Sequence, residues 1–260
     1  MNALATFRRN ISEVDRLVNF DKELLEIVTL QIEELHEQLK DRFGDERMNG
    51  GRALRIIRGI RDNETIRAKY VAIYNQAVVL LVSHLSSALG DLFRAAVLEK
   101  LQSADPGKLL EEEIKLTLGE MRERDWNLES AAADLLIAKH DFAFQDMAST
   151  VRAFKTFIGV VPARDATMNN IIAAQACRHV IVHAGGRISE KAVRQVSGAQ
   201  PRTLKPLLNV DENIRFCAAE IEAIKADMLR FVEELAECIL RGKASSAIHT
   251  DATVSSISGG

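Results

Sequence analysis

Residues 176–189 read ACRHVIVHAGGRIS. Arg178, His179 and His183 bracket the apolar run Val180-Ile181-Val182, and the stretch stops on Gly185-Gly186. In a chain with only six histidines, two of them beside an arginine in so apolar a segment are candidates for chemistry. A histidine titrates near neutrality and can move a proton in either direction. An arginine keeps its charge, can grip a phosphate through two parallel N–H groups, and can stabilise negative charge that develops in a reaction. Arg178 with His183 is therefore the minimum set for metal-free cleavage of RNA by its own 2′-hydroxyl. The two sit five positions apart, a divergence of about 140° at roughly 100° per residue on a helix. They converge only through the reach of the arginine, at a helix end, or across a symmetric dimer.

Three other readings of the stretch stand beside this one. His179 and His183, four residues apart, share one helical face, the spacing zinc proteases use. However, Val180 stands where that motif places glutamate, Arg178 repels a dication, and no further His or Cys spacing is nearby, so no metal is expected. Val-Ile-Val has high strand propensity and Gly-Gly could turn a hairpin. No second strand is visible, and TMNNIIAAQAC upstream is helical in character, which favours a helix ending on a glycine cap. The last reading, a core histidine and arginine satisfied by neighbours, is the one that periodicity alone favours.

The elements that would position these residues are helical. Leu4, Phe7, Ile11, Val14, Val18, Leu25, Val28, Ile32, Leu35 and Leu39 recur at steps of three and four, a heptad seam interrupted near Asp21. Asn19-Phe20-Asp21 could break it into two helices, with Asp21 as a new cap. Gly44 and Asn49-Gly50-Gly51 read as loop, and Arg47, Arg52, Arg55, Arg58 and Arg61 follow with no intervening acid, either a solvated basic face or a phosphate-contacting stripe. One long helix is expected from Thr65 to Gln102, with Ile66, Tyr70, Ile73 and His84 on its apolar stripe and His84 as a core or interface residue. Asp105-Pro106-Gly107 breaks it. Shorter helices are expected over 108–122, 128–140 and 142–157, another from Thr167, and a short one capped by Ser189. The last helix, about 211–241, repeats the heptad spacing at Ile214, Cys217, Ile221, Ile224, Met228, Phe231, Leu235 and Cys238. The tail 244–260 is Ser/Thr/Gly-rich without periodicity and is expected to be disordered. The fold class is all-α, with an N-terminal helical extension and basic segment over 1–61 and a helical bundle over 62–243.

Composition agrees with that class. Of 260 residues, 47% are hydrophobic but only 5% aromatic, with four prolines, which suits a helical protein better than a β-sandwich. The net charge of −3 gives no global sign of polyanion binding, so such affinity has to come from local patches. Cys177, Cys217 and Cys238 lie within apolar helical patterns and are expected as buried, reduced thiols. The N-terminus lacks a signal-peptide core and no apolar run approaches spanning length. A cytoplasmic protein away from the membrane is the expectation.

RHVIVHAGG, with Arg178, four residues and then His183, resembles the Rx4–6H motif of the HEPN superfamily. It is most similar to the branch whose motif helix ends RN-x-x-VH-x-G-G, with His179 here in place of the asparagine. The resemblance spans residues 62–243: a long first helix containing LLVSHLSSALGDLFRAAV, several helices, the motif helix, the Gly-Gly turn and a long last helix. It implies a helical bundle that dimerises with two motifs facing each other. It also implies metal-independent cleavage of RNA in prokaryotic defence, as an abortive-infection effector or toxin, or else an inactive nucleotide-binding or assembly module. By position, His183 would be the general acid/base, Arg178 would hold the phosphate, and His179 would be the variable polar member. No cofactor is implied. RNA, a second copy of the chain and an antitoxin or sensor protein would be its partners. Arg187, Lys191 and Arg194, in a window where Glu190 is the only acid, are the expected RNA-binding residues, unless they form an ordinary solvated helix face.

Overall fold

The computed structural model describes residues 2–43, 50–62, 71–103 and 105–254. Among these residues there is no strand, and one isolated bridge joins Arg187 to Asn213. The helices are α1 (Asn2–Phe43), α2 (Gly50–Asp62), α3 (Val71–Gln102), α4 (Leu118–Glu123), α5 (Leu128–His140), α6 (Met147–Ala153), α7 (Ala166–His183), α8 (Glu190–Ser197) and α9 (Ala218–Val254). A 3-10 turn at Gly107–Glu111 follows α3, and a π-helical turn at Phe154–Ile158 extends α6 until Gly159 ends it with a positive φ of 80°. The all-α expectation holds. Arg47, Ile66, Tyr70 and the expected loop around Gly44 and Asn49 lie outside the described residues, as do residues 255–260 of the tail. The α9 backbone runs through 244–254.

Helix α3 is the centre of the bundle. It packs on α1, α5, α7 and α9, and Tyr74, Leu81, Leu85, Leu89 and Phe93 are all buried along it. Its length and composition would allow it to cross a membrane, but 56% of its most apolar window is buried inside this bundle. Phe93 anchors an aromatic cluster, with Phe142, Phe144 and Phe154 at centroid distances of 6.0, 5.6 and 5.6 Å. These edge-on and tilted contacts lock the α5–α6 connection against the central helix. His84 is half-buried on α3, and burial pushes its pKa below the ordinary value.

Helix α1 runs unbroken through Asn19-Phe20-Asp21, where two helices were expected. Asn19 donates from Nδ2 to Asp15 Oδ1 one turn back, at 3.1 Å, so its side chain supports the continuing helix rather than capping a new one. Phe7, Ile11, Val14 and Val18 are buried and belong to the same core as α3, α7 and α9. Lys225 of α9 reinforces this contact by pairing with Asp15 at 2.6 Å and Glu222 at 2.9 Å. Burial alone would lower the pKa of that ammonium, but the two carboxylates leave it raised.

Farther along α1 the heptad seam leaves the core. A strict heptad on a straight helix drifts by about 20° per repeat. Leu25 and Ile32 are still half-buried, with Thr29 fully buried between them, but Val28 and Leu35 have rotated into solvent. Helix α2 packs on this part of α1, and Arg58 pairs with Glu33. Gly50 and Gly51, expected in a loop, form the first turn of α2.

Two further corrections concern the C-terminal part. The last helix starts at Ala218 rather than near 211, because the preceding segment is tied to the end of α7. Of the three thiols only Cys177 is buried, while Cys217 and Cys238 are exposed. Cys217 lies before the helix begins, and Cys238 lies on a turn whose solvent side it faces. Heptad spacing identifies a seam without identifying which face the protein covers.

Candidate functional site

The site is built on α7. Asp165 caps it, accepting the Met168 N–H at 2.9 Å. From Thr167 to Cys177 the helix is buried on nearly every side, which fixes its position in the bundle. Asn170 helps hold it: its Oδ1 accepts the N–H groups of Thr203 and Leu204, both at 2.9 Å. Its Nδ2 donates to Asp227 Oδ2 at 2.7 Å. The loop after α8 and the flank of α9 are thus fastened to the middle of α7.

The last turn of α7 comes out into solvent. Arg178 is half-buried, and His179, Val182 and His183 are exposed. The N–H groups of Ala184 and Gly186 both donate to the Val180 carbonyl, at 3.0 and 3.1 Å. Gly185 and Gly186 take left-handed φ values of 59° and 84°, which a side chain would resist. The chain then folds back: Ile188 donates to Glu212 at 2.9 Å, Asp211 to Ile188 at 2.9 Å, and Ile214 to Gly186 at 2.8 Å. Asn75 of α3 fixes the same segment by donating to the Ile214 carbonyl and accepting the Phe216 N–H. The helix-and-glycine-cap reading of the stretch therefore prevails over the hairpin reading.

The rings of His179 and His183 stand 4.7 Å apart at 48° to each other. Burial lowers the His179 pKa first, and the charges of His183, Lys191 and Arg178 lower it further. At neutral pH that imidazole is chiefly uncharged and able to accept a proton. Arg178 and His179 share a cleft of about 300 Å³ with Gln145, Asp146, Gln175 and Gln195. His183 does not line it. The structure therefore joins His179 to His183 and Arg178 to His179, while Arg178 and His183 point to different sides of the helix end, as their spacing implies. Among the described residues no group of three or more His, Cys, Asp or Glu side chains gathers as a metal site would.

Sequence reasoning missed the glutamines. Gln175 is only 9% exposed. Its Oε1 accepts the Met147 N–H at 3.1 Å, and its Nε2 is buried without a partner in the structure, as is Nε of Arg178. Two orphaned donors at the base of one cleft favour a ligand, or water, that offers acceptors. The signal for Gln175 was present, since positions 175, 178 and 179 share a face at steps of three and four. Gln145 arrives from the turn before α6 and Gln195 from α8, with no local sign in the sequence. Asp146 is occupied as the cap of α6, accepting from Ala148 and Ser149. A broader depression of about 440 Å³ lies beyond the Gly-Gly turn, against Asn75, Asn213 and Arg215.

The three expected RNA-contacting cations are all exposed. Arg187 pairs with Asp211 and Arg194 with Glu190, each at 3.2 Å between well-solvated side chains. Such exposed pairs are weak, so a phosphate can displace the carboxylate at little cost. Arg202 and Lys205 are used differently. Arg202 donates to the carbonyls of Val196, Ala199, Lys205 and Pro206, and Lys205 pairs with Glu220 at 2.7 Å. These two cations are thus spent on closing the loop. Compared with family models, with curated proteins and with solved structures, the chain matches none.

Proposed function

We propose that this chain is a HEPN-like, metal-independent endoribonuclease that cleaves RNA with the ribose 2′-hydroxyl as nucleophile. The observation that carries the reading is the pairing of His179 and His183 at the solvent-exposed end of α7, beside the half-buried guanidinium of Arg178. An imidazole takes the proton from the 2′-hydroxyl as O2′ attacks phosphorus. The bond from phosphorus to the 5′-oxygen breaks, and that oxygen leaves with a proton. The products are a 2′,3′-cyclic phosphate and a 5′-hydroxyl. His183 is the acid/base in this scheme, Arg178 holds the phosphate and stabilises its added charge, and His179 supports the pair. Arg187, Lys191 and Arg194 bind the flanking backbone. Because Arg178 and His183 face different sides of one helix end, the working site is composed across a homodimer. A role in prokaryotic defence, with an antitoxin or sensor as a further partner, follows from the resemblance of the motif.

The test is cleavage of single-stranded RNA by the full chain in excess EDTA, with the ends analysed. Wild type is expected to leave cyclic phosphates, and Arg178→Ala and His183→Ala are expected to abolish cleavage without loss of helical structure. Full activity in His183→Ala would sink the assignment. A second reading, a non-enzymatic assembly module, is favoured by the long exposed apolar face of α1. It predicts an inactive wild type and a lowered melting temperature for His183→Ala.

A further inference from the structure

The cleft beside Arg178 has one stripe of α7 as its floor, where Ile172, Gln175, Ala176 and His179 follow at steps of three, one and three. Gln145 and Gln195 close it from two other elements. Gln175 is the informative residue, because it is only 9% exposed and its Oε1 accepts the Met147 N–H at 3.1 Å. A backbone donor can meet only the amide oxygen, so this bond fixes the orientation of the side chain. Nε2 is thereby the end left buried without a partner. Nε of Arg178, three residues on, is a second buried donor in the same state. Buried donors in native proteins nearly always have a partner, so this floor suits a ligand that brings two acceptors.

The adjoining wall offers the opposite. Asp146 precedes Met147, whose N–H is the one bonded to Gln175, so the carboxylate and the amide are neighbours. Its two oxygens take one N–H each from the α6 cap, Ala148 at 3.3 Å and Ser149 at 2.9 Å. An ionised carboxylate has about four acceptor positions, which leaves room for donors on a ligand. A phosphate seated this deep would meet the Asp146 charge, whereas a neutral ring with acceptors on one edge and donors on the next would not. Guanine has that order: N7 and O6 accept, then N1–H and the N2 amino group donate. Adenine sets its N6 amino group against a floor that also donates. Uracil places its N–H between two carbonyls, and cytosine offers the carboxylate one amino group only.

We propose that this cleft is a guanine pocket. Gln175 Nε2 and Arg178 Nε donate to the O6 and N7 edge, Asp146 accepts from N1–H and the N2 amino group, and the ring lies over Ile172 and Ala176. The cleft, at about 300 Å³, has the apolar floor and few placed polar groups of a small-ligand site. That the base belongs to a nucleotide adjoining the scissile phosphate rests on the ribonuclease reading. Nε is one of five guanidinium donors, so the others remain for that phosphate.

Isothermal titration calorimetry on the full chain tests the proposal, with the 3′-monophosphates of guanosine, inosine, adenosine, cytidine and uridine as probes. Wild type is expected to bind the guanosine nucleotide about tenfold or more tightly than those of adenosine, cytidine and uridine. The inosine nucleotide, which lacks the N2 amino group, is expected to lose about tenfold. Asp146→Asn keeps one oxygen for the α6 cap but turns an amino group on the base donors, and is expected to erase the gap between guanosine and inosine. Gln175→Glu keeps an acceptor for Met147 and removes the donor, and is expected to weaken guanosine binding about tenfold. If Gln175→Glu fails to fold, the inosine comparison on wild type decides. Equal affinity for all bases, preference for another base, no saturable binding (water alone filling the cleft), or inosine bound as tightly as guanosine each overturns the proposal. A chain that binds the guanosine nucleotide but leaves RNA intact removes the ribonuclease reading and keeps the pocket. One that cuts RNA and prefers no base removes the pocket and keeps the reading.

Discussion

His179 lies between two neighbours: its ring is 4.7 Å from that of His183, and it shares with Arg178 a cleft that His183 does not enter. It is the residue that links the two halves of the expected Arg178–His183 pair within one chain. Its electrostatic surroundings give the first prediction.

Burial and then the charges of His183, Lys191 and Arg178 hold the His179 pKa below its ordinary 6.5. A depressed folded value means that the unfolded chain binds the proton more readily. Any stability carried by this residue is then complete above pH 6.5 and is lost as the pH falls through the folded value. Imidazole nitrogen resonances followed by NMR should show His179 titrating below 6.5 in the wild type. In His183→Ala and in Lys191→Ala the midpoint should rise, though burial keeps it under the ordinary value. An unmoved midpoint in both variants would refute the charge contribution.

Asn170 saturates its side-chain amide among α7, the loop at 203–204 and α9. Asn170→Ala leaves the Thr203 and Leu204 N–H groups without their acceptor, at a cost of about 3 kcal/mol in chemical denaturation. Asn170→Asp keeps an acceptor but sets a second carboxylate against Asp227. Its stability deficit should therefore grow as the pH rises through the carboxylate range, and a deficit independent of pH would contradict this.

Phe7 is 1% exposed, within the core that α3 and α9 share. Phe7→Ala should cost about 3–5 kcal/mol and lower a single cooperative unfolding transition. A separate early transition for α1, with the remainder unaffected, would show that the helix only rests on the bundle.

The thiols should separate by accessibility. Burial pushes Cys177 up to about 12, so at mildly alkaline pH it is a thiol rather than the reactive thiolate. Iodoacetamide on the native chain should modify the exposed Cys217 and Cys238 and spare Cys177 until denaturant is added. Early labelling of Cys177 would mean that α7 opens in the native state.

Much of this architecture was legible from periodicity and caps. The apolar stripes announced α3 and the buried half of α1, Ser189 announced α8, and the glycine pair announced the end of α7. What was hidden involves partners distant in sequence. The start of α9 was misplaced because Ile214 has the spacing of a helical residue, yet its N–H goes to Gly186 and its carbonyl to Asn75. The exposure of Cys217 and Cys238 was hidden for a related reason, since a seam can be read locally but its covering cannot. At the candidate site, Arg178, His179 and Gln175 can be found by stepping along one helix face. Gln145 and Gln195 are brought in by the packing of other elements, which no spacing encodes.

The stitching of Gly186 to Ile214, with Asn75 behind it, has a consequence for how the protein is made. The histidine stretch emerges from synthesis well before residue 214 does. Until then the turn at Gly185-Gly186 lacks the strap that fixes it against α3. A nascent chain that stops short of Ile214 carries Arg178, His179 and His183 but lacks the bonds from Gly186 and Asn75 that tie their helix end to α3, so the arrangement of these residues is completed only as the C-terminal third of the chain is added.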